Sequence, residues 1–229
     1  MLFSAWDIAA LAVLVLVWVW ISWRIERASP KKPSVSVLMD DFRRDWMRQM
    51  VTREPRMFDA QLVGNLRQGT AFFASASMIA IGGGLALIGN TERLTMLAIE
   101  LTLGDAPAVV WEIKILLVLV FLSNAFLKFV WAHRLFGYCS VLMASVPNDP
   151  GAALAYPRAG QAAELSITAA RSFNRAMRSV YFALASVAWL IGPVPLIGAA
   201  VLTTAVLYRR EFASHSRRIL LQVPSDTQT

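Results

Sequence analysis

Ile8–Trp23 reads IAALAVLVLVWVWISW, an apolar run without a charged side chain. As a helix, a run of this length crosses the roughly 30 Å hydrocarbon core of a bilayer with modest thinning at its ends. Trp18, Trp20 and Trp23 lie toward one end of the run, and indole rings prefer the membrane–water interface. The run therefore predicts a transmembrane helix.

Two more apolar stretches follow, over about residues 71–89 and about residues 113–131. The chain of 229 residues is 57% hydrophobic, its mean hydropathy is +0.53, and most charges lie outside the apolar stretches. A backbone in lipid has to satisfy its own N–H and C=O groups, which a helix does. We therefore predict an all-α fold, a multi-pass transmembrane helical bundle that forms a single domain over residues 1–229.

The last apolar stretch, residues 180–208, is interrupted at Gly192-Pro193. One kinked helix would give four membrane segments and leave the arginines after Tyr208 outside, against the positive-inside rule. A hairpin, with residues 176–191 leading out and residues 195–207 returning, keeps those arginines inside and suits Gly at a helix end and Pro at a helix start. The hairpin, with five membrane segments, is the preferred prediction, and the kinked helix is the alternative.

The connections between the apolar stretches differ in charge. Residues 24–70 hold ten Arg and Lys against six acidic side chains, residues 134–179 hold five Arg against two, and residues 90–112 hold one Arg against four. Because Arg and Lys collect in cytoplasmic loops, the first two connections are predicted to be cytoplasmic, the N-terminus periplasmic and the C-terminus cytoplasmic. Helical spans and eighteen arginines against four lysines suggest a bacterial inner membrane.

Loops on both sides are predicted to contain helices. In the cytoplasmic loop 24–70, apolar residues recur at every fourth position and form one stripe of an amphipathic helix, namely Leu38, Phe42, Trp46 and Met50. The stripe fits either the headgroup layer or the surface of another loop or subunit. A second helix is expected to begin at Pro55 and run into the next apolar stretch. Outside, Leu94, Leu97 and Leu101 predict a short interfacial helix.

Polar and small residues within the apolar stretches are candidates for function or packing. Asn124 and Lys128 are four residues apart and therefore share a helix face. Such residues usually face protein or water, although a Lys near the end of a span also reaches the headgroups and an Asn bonds to a neighbouring helix. Ala76, Ala80 and Gly84 form a four-residue repeat of small side chains, which predicts close helix packing.

The sequence gives little support for a cofactor or a catalytic site. Cys139 is the only cysteine, and His133 and His215 lack acidic or cysteine neighbours at metal-ligand spacing. The glycines at positions 82–84 lack the preceding strand and the Lys-Ser/Thr of a phosphate loop. No nucleic-acid-binding motif accompanies the net charge of +7. We therefore expect no cofactor, no metal, no nucleic-acid partner and no enzymatic activity.

Several short motifs, spread over most of the chain, resemble those of one protein family. They are Arg53-Glu54-Pro55-Arg56 with Asp59 and Asn65, Phe72-Phe73-Ala74-Ser75, Lys114, Phe129-Val130-Trp131 with Arg134, Trp189 with Gly192-Pro193, and Leu207-Tyr208-Arg209-Arg210-Glu211-Phe212 with Ser214. With them the chain resembles the domain of unknown function 599 family, found in bacteria and plants. The resemblance implies a multi-pass membrane bundle and implies no activity, cofactor or substrate.

Three functions are compatible with these features. The preferred one is a structural or interaction component of the inner membrane, in contact with the lipid bilayer and anionic headgroups through its basic loops and able to form a homo-oligomer. The second is a small oligomeric transporter or channel, with Asn124 and Lys128 lining a polar cavity. The third is an enzyme acting on lipid headgroups, which would unite the charged residues Arg53, Glu54, Arg56, Asp59, Arg134, Arg209, Arg210 and Glu211.

Overall fold

The computed structural model describes residues 3–27, 29, 31–90, 96 and 107–222, and the elements among them are helices. In chain order they are α1 (Ala5–Glu26), α2 (Val35–Met50), α3 (Met57–Ile88), α4 (Ala108–Ala144), α5 (Ala155–Val187), α6 (Pro193–Phe212) and α7 (His215–Leu221), with a 3₁₀ turn, Ala188–Leu190, between α5 and α6. The prediction of an all-α fold is confirmed. The helix expected at Leu94, Leu97 and Leu101 lies outside the described residues.

Three of these helices, α1, α3 and α4, are long and apolar enough to cross a membrane. They coincide with the three apolar stretches, so the prediction of a multi-pass helical bundle is confirmed. α3 has 32 residues and α4 has 37. At 1.5 Å per residue they are about 48 and 55 Å long, well beyond the roughly 30 Å of a hydrocarbon core. Both helices therefore project from the bilayer.

Hydrogen bonds at the helix starts explain where α1 and α2 begin. Ser4 Oγ accepts from the backbone N–H of Asp7 at 3.2 Å, and the Asp7 carboxylate accepts from the backbone N–H of Ser4 at 3.0 Å, which is a capping box. Ser34 Oγ accepts from the N–H of Val37 at 3.2 Å and donates to the carbonyl of Ile25 at 2.7 Å. Ser34 thus caps α2 and ties its start to the end of α1.

The chain reverses direction between α5 and α6. The indole of Trp189, just after α5, donates to Asp7 Oδ1 at 2.8 Å at the start of α1. α6 then runs beside α1, and Tyr208 near its end stacks on Trp20, with 6.4 Å between ring centroids. The reversal takes place at Gly192, whose φ of 157° is a conformation that side chains with a Cβ rarely adopt. The chain therefore forms the predicted hairpin in place of one continuous kinked helix. Among the described helices, α1, α3 and α4 are apolar enough to cross a membrane, so the count of five membrane segments stays a prediction.

Two large hydrophobic cores lie one above the other in the bundle, with a smaller cluster of Ala125, Phe129 and Ala176 between them. The first is formed by α1, α4, α5 and α6 and includes Leu14, Phe121, Phe182 and Leu196. The second is formed by α2, α3, α4 and α5 and includes Met47, Val63, Phe136, Cys139 and Ala162. α4 and α5 pass through both cores. The second core therefore lies in a helical extension of the bundle, beyond the end of α1. We call this end of the bundle the basic end.

α2 packs on α5 through polar residues. Arg171 Nη2 donates to Asp40 Oδ2 at 2.6 Å, and Arg43 Nη1 donates to Ser166 Oγ at 2.9 Å. Asp40 is buried, whereas Phe42 in the predicted apolar stripe is 48% exposed. The structure therefore favours packing of α2 against another element over a location in the headgroup layer. The apolar stripe forms only part of the contact between α2 and α5.

Candidate functional site

Asn124 and Lys128 are hydrogen-bonded on one face of α4, as their spacing predicts. Lys128 Nζ donates to Asn124 Oδ1 at 2.8 Å, and Asn124 Nδ2 donates to Ser179 Oγ on α5 at 2.6 Å. A second bond joins the same helices, because Ser172 Oγ donates to the carbonyl of Lys128 at 2.9 Å. The polar pair therefore links α4 to α5 within the bundle, and Lys128 keeps N–H groups for further acceptors.

Glu26, the last residue of α1, binds two arginines of α5. Arg175 Nε donates to Glu26 Oε1 at 2.8 Å, and Nη2 of both Arg175 and Arg178 contacts the same carboxylate. Arg178 is 4% exposed, and its Nε also donates to Ser22 Oγ at 3.3 Å. A charge as buried as that of Arg178 requires an opposite charge beside it. Glu26 supplies that charge and holds the end of α1 against α5.

A cavity of about 210 Å³ opens beside these ion pairs, between α1, α4 and α5. It is lined by Trp18, Val19, Ser22, Trp23, Glu26, Lys128 and Arg175. Lys128 Nζ lies 5.9 Å from the centroid of the Trp18 ring, close enough for a cation–π interaction. We call Glu26, Lys128, Arg175 and Arg178 the basic cluster, because it sets three cations against one carboxylate.

Arg53, Glu54, Arg56 and Asp59 lie together at the turn from α2 to α3. The Asp59 carboxylate is fully buried and accepts from Arg53 Nη1 and, at 2.7 Å, from Trp46 Nε1. The Arg56 guanidinium donates to three backbone carbonyls at 2.7–3.0 Å, those of Val51, Val146 and Pro147. Glu54 is exposed beside them. The contacts of Arg56 fasten this turn to the connection between α4 and α5. Those of Arg53 and Asp59 hold the turn against Trp46 of α2.

The other charged candidates are separate from that turn. Glu211 accepts from the backbone N–H of Ser36 at 3.0 Å, Arg134 Nε donates to Tyr138 Oη at 3.1 Å, Arg210 Nη1 donates to Tyr181 Oη at 2.8 Å, and Arg209 is exposed. Each contact joins a candidate to a residue outside the predicted set. The eight charged residues considered for lipid-headgroup chemistry are therefore distributed over several contacts and do not form one constellation.

A larger cavity, of about 380 Å³, lies between α2, α3, α5 and α6. Asp40, Arg43, Asn65 and Glu211 are among its lining residues. Burial lowers the pKa of the Arg43 guanidinium, which nonetheless stays protonated at neutral pH. Asn65 and Glu211 come from two motifs that are far apart in the sequence, and the fold brings both to this cavity.

The small residues of α3 divide between two sides of the helix. A Cβ at Gly84 would lie 2.5 Å from Leu119 Cδ2 of α4, so glycine allows the two helices to approach closely here. Gly84 therefore lies at the contact between α3 and α4, as a packing role requires. Ala76 and Ala80 are exposed within the described part of the chain, and a packing role for them stays a prediction. A Cβ at Gly83 would meet nothing within 4 Å.

Sequence reasoning did not identify Glu26 as the centre of the basic cluster. From the sequence, Arg175 and Arg178 counted only among the five arginines of the predicted cytoplasmic connection 134–179. The available signal was one acidic residue in a basic flank, together with two arginines directly before an apolar stretch. Among the residues that the structure describes, no group of three or more His, Cys, Asp or Glu side chains is placed to hold a metal ion.

A family model covers nearly all of this architecture. Residues 9–216 match the model described as a protein of unknown function, DUF599. The chain belongs to the DUF599 family. The part that matches DUF599 runs from α1 to the start of α7 and so includes both cores and the basic cluster. DUF599 carries no assigned activity. Searches among curated proteins and among solved structures find no match.

Proposed function

We propose that this DUF599 protein is a structural, non-catalytic component of the bacterial inner membrane that acts by self-association. The observation that carries the proposal is the outer face of α3, by which we mean Ala76, Ala80 and Gly83. These residues are spaced by four and three positions, so they share one side of the helix. Small side chains of this kind let two helices approach closely in lipid.

The poor burial of α3 supports this proposal. Only 6% of the residues in its apolar window are buried, against 22% for α1 and 33% for α4. Ala76, Ala80 and Gly83 are exposed, and α3 packs mainly on α4. A second copy of the chain, packed on the outer face of α3, would give the helix a second neighbour.

The charge distribution supports the proposed orientation, with the basic end in the cytoplasm and the N-terminus in the periplasm. Residues 24–70 and residues 134–179 carry net charges of +4 and +3, and the contacts of α2, α3, α4 and α5 place much of both segments in the extension at the basic end. Residues 90–112 carry −3. Since Arg and Lys resist translocation, this difference favours a cytoplasmic basic end.

Bulky substitutions on α3 test self-association. In lipid vesicles, photobleaching of single labelled molecules should count more than one wild-type chain per complex. Gly83→Ile should reduce that count to one, because the added side chain separates the two helices. Ala12→Ile, an equally bulky change at an exposed position of α1, should leave the count unchanged. A monomeric wild type, or equal effects of Gly83→Ile and Ala12→Ile, would overturn the proposal.

A transporter is the second candidate, because the cavity beside Lys128 supplies a polar site within the bundle. Lys128 and Glu26 line this cavity, and Asn124 holds Lys128 in place. Purified protein in liposomes would be tested for flux of ions and small solutes. A robust flux that Lys128→Ala abolishes and Lys31→Ala leaves intact would favour the transporter over the structural role.

The scattered charged candidates support the non-catalytic part of the proposal. Asp59 and Arg53 bond to each other, and Arg56 is engaged by backbone carbonyls. Hydrolysis of a lipid headgroup requires a nucleophile with an oriented base, or a metal ion. Turnover of labelled phospholipid that is lost on Arg53→Ala would contradict this part of the proposal.

A further inference from the structure

We propose that the basic cluster binds the phosphate of an anionic phospholipid, in the membrane leaflet at the basic end. The ligand would enter the cavity of about 210 Å³ between α1, α4 and α5 and pair with Lys128 and Arg175. This inference is independent of self-association through α3, because the two sites use different helices.

The depth of the cluster in the membrane supports this proposal. Glu26 is the last residue of α1, so the cluster lies where the apolar run of that helix stops. Trp20 and Trp23, which are 47% and 54% exposed, lie one to two turns earlier. Exposed indole rings mark the boundary between hydrocarbon and headgroups. The cluster is therefore at the level where lipid phosphates lie.

The cluster also carries an excess of positive charge. Glu26 pairs with both Arg175 and Arg178, whereas Lys128 forms no salt bridge among the described residues. Lys128 has three N–H donors, of which one is used by Asn124. The Arg175 side chain is 48% exposed, although it is bound to Glu26. A ligand with one negative charge and several acceptor oxygens, such as a phosphate diester, would neutralise part of the remaining charge.

The apolar part of the cavity lining indicates the source of that phosphate. Besides its polar groups, the cavity is lined by Trp18, Val19 and Trp23, of which Val19 and Trp23 are each 54% exposed on the outside of α1. An acyl chain can run along these apolar side chains while the phosphate reaches the cations. A free phosphate ion has no apolar part that these side chains could bind. The geometry therefore favours a phospholipid over a soluble anion.

Native mass spectrometry of the full chain would test the site, with phosphatidylglycerol as the anionic lipid and phosphatidylcholine as its zwitterionic counterpart. The wild type should retain phosphatidylglycerol selectively. Lys128→Gln should weaken that retention about fivefold, as expected for the loss of one cation near a membrane surface. Lys128→Arg, which keeps the charge, should bind like the wild type.

Arg209→Gln is the matched control, since it removes an exposed charge near the end of α6 without touching the cluster. It should leave retention unchanged. Equal retention of the two lipids by the wild type would overturn the proposal, as would equal losses in Lys128→Gln and Arg209→Gln. Displacement of the lipid by inorganic phosphate at millimolar concentration would assign the site to a soluble anion and overturn the lipid. Failure of Gly83→Ile to dissociate the complex would not affect this result.

Discussion

Replacing Glu26 with Gln should destabilise the bundle strongly, because it leaves a buried arginine without an opposite charge. The Arg178 side chain is 5% exposed, and its salt bridge is to Glu26. Removing one partner of a buried ion pair costs about 3–5 kcal/mol. The Glu26 side chain is 26% exposed, so water screens part of the interaction and the lower end of that range applies. Arg175 is half exposed and adds at most about 1 kcal/mol. We therefore expect a loss of about 3 kcal/mol in the free energy of unfolding.

The free energy of unfolding would be measured by titrating the purified protein in mixed micelles with a denaturing detergent. Asp41→Asn is the control, because it breaks an ion pair with Arg44 whose side chains are 76% and 43% exposed. That change should cost less than about 0.5 kcal/mol. The double variant Glu26→Gln, Arg178→Gln should recover part of the lost free energy of unfolding, since the unpaired buried charge is gone. Equal stabilities of Glu26→Gln and Asp41→Asn would refute the reasoning.

Three further predictions concern close packing, the hairpin turn and a buried carboxylate. Gly84→Ala should lower the free energy of unfolding by about 1–3 kcal/mol, because its Cβ meets Leu119, whereas Gly82→Ala, which meets nothing within 4 Å, should not. Gly192→Ala should lower the free energy of unfolding by about 1–3 kcal/mol, because alanine rarely adopts the positive φ of Gly192. Detergent titration would compare it with Gly198→Ala in α6, where a Cβ meets nothing within 4 Å and no loss of stability is expected. Asp59→Asn should lower the thermal unfolding midpoint of the purified protein, because Arg53 and Trp46 lose a buried charged acceptor; an unchanged midpoint would contradict the assigned role.

The sequence contained enough information to predict the three apolar helices and the reversal at Gly192. Long uncharged runs have few alternatives to a helix in lipid, and glycine followed by proline ends one helix and starts another. The start of α3 near Pro55 followed from the same logic. The spacing of Asn124 and Lys128 also predicted that they share a face. These features are local, so periodicity and composition reveal them.

Contacts between distant segments could not be read from the sequence. α2 carries an apolar stripe, yet it packs on α5 through Asp40 and Arg43, because their partners Arg171 and Ser166 lie more than 120 residues further along. The same holds for Glu26 and the arginines of the basic cluster. A helical repeat of small residues likewise gives no indication of which side faces a neighbour.

Chemical labelling from the two sides of the membrane tests the central claim most directly, namely that the chain is an oriented bundle ending in a hairpin. Val194→Cys lies at the turn and Ala213→Cys at the basic end, and both positions are exposed. Cys139 would first be replaced by Ala, which leaves each variant with one cysteine. With a maleimide that does not cross the inner membrane, Val194→Cys should react in intact cells and Ala213→Cys only after permeabilisation. Reaction of Ala213→Cys in intact cells would contradict the account.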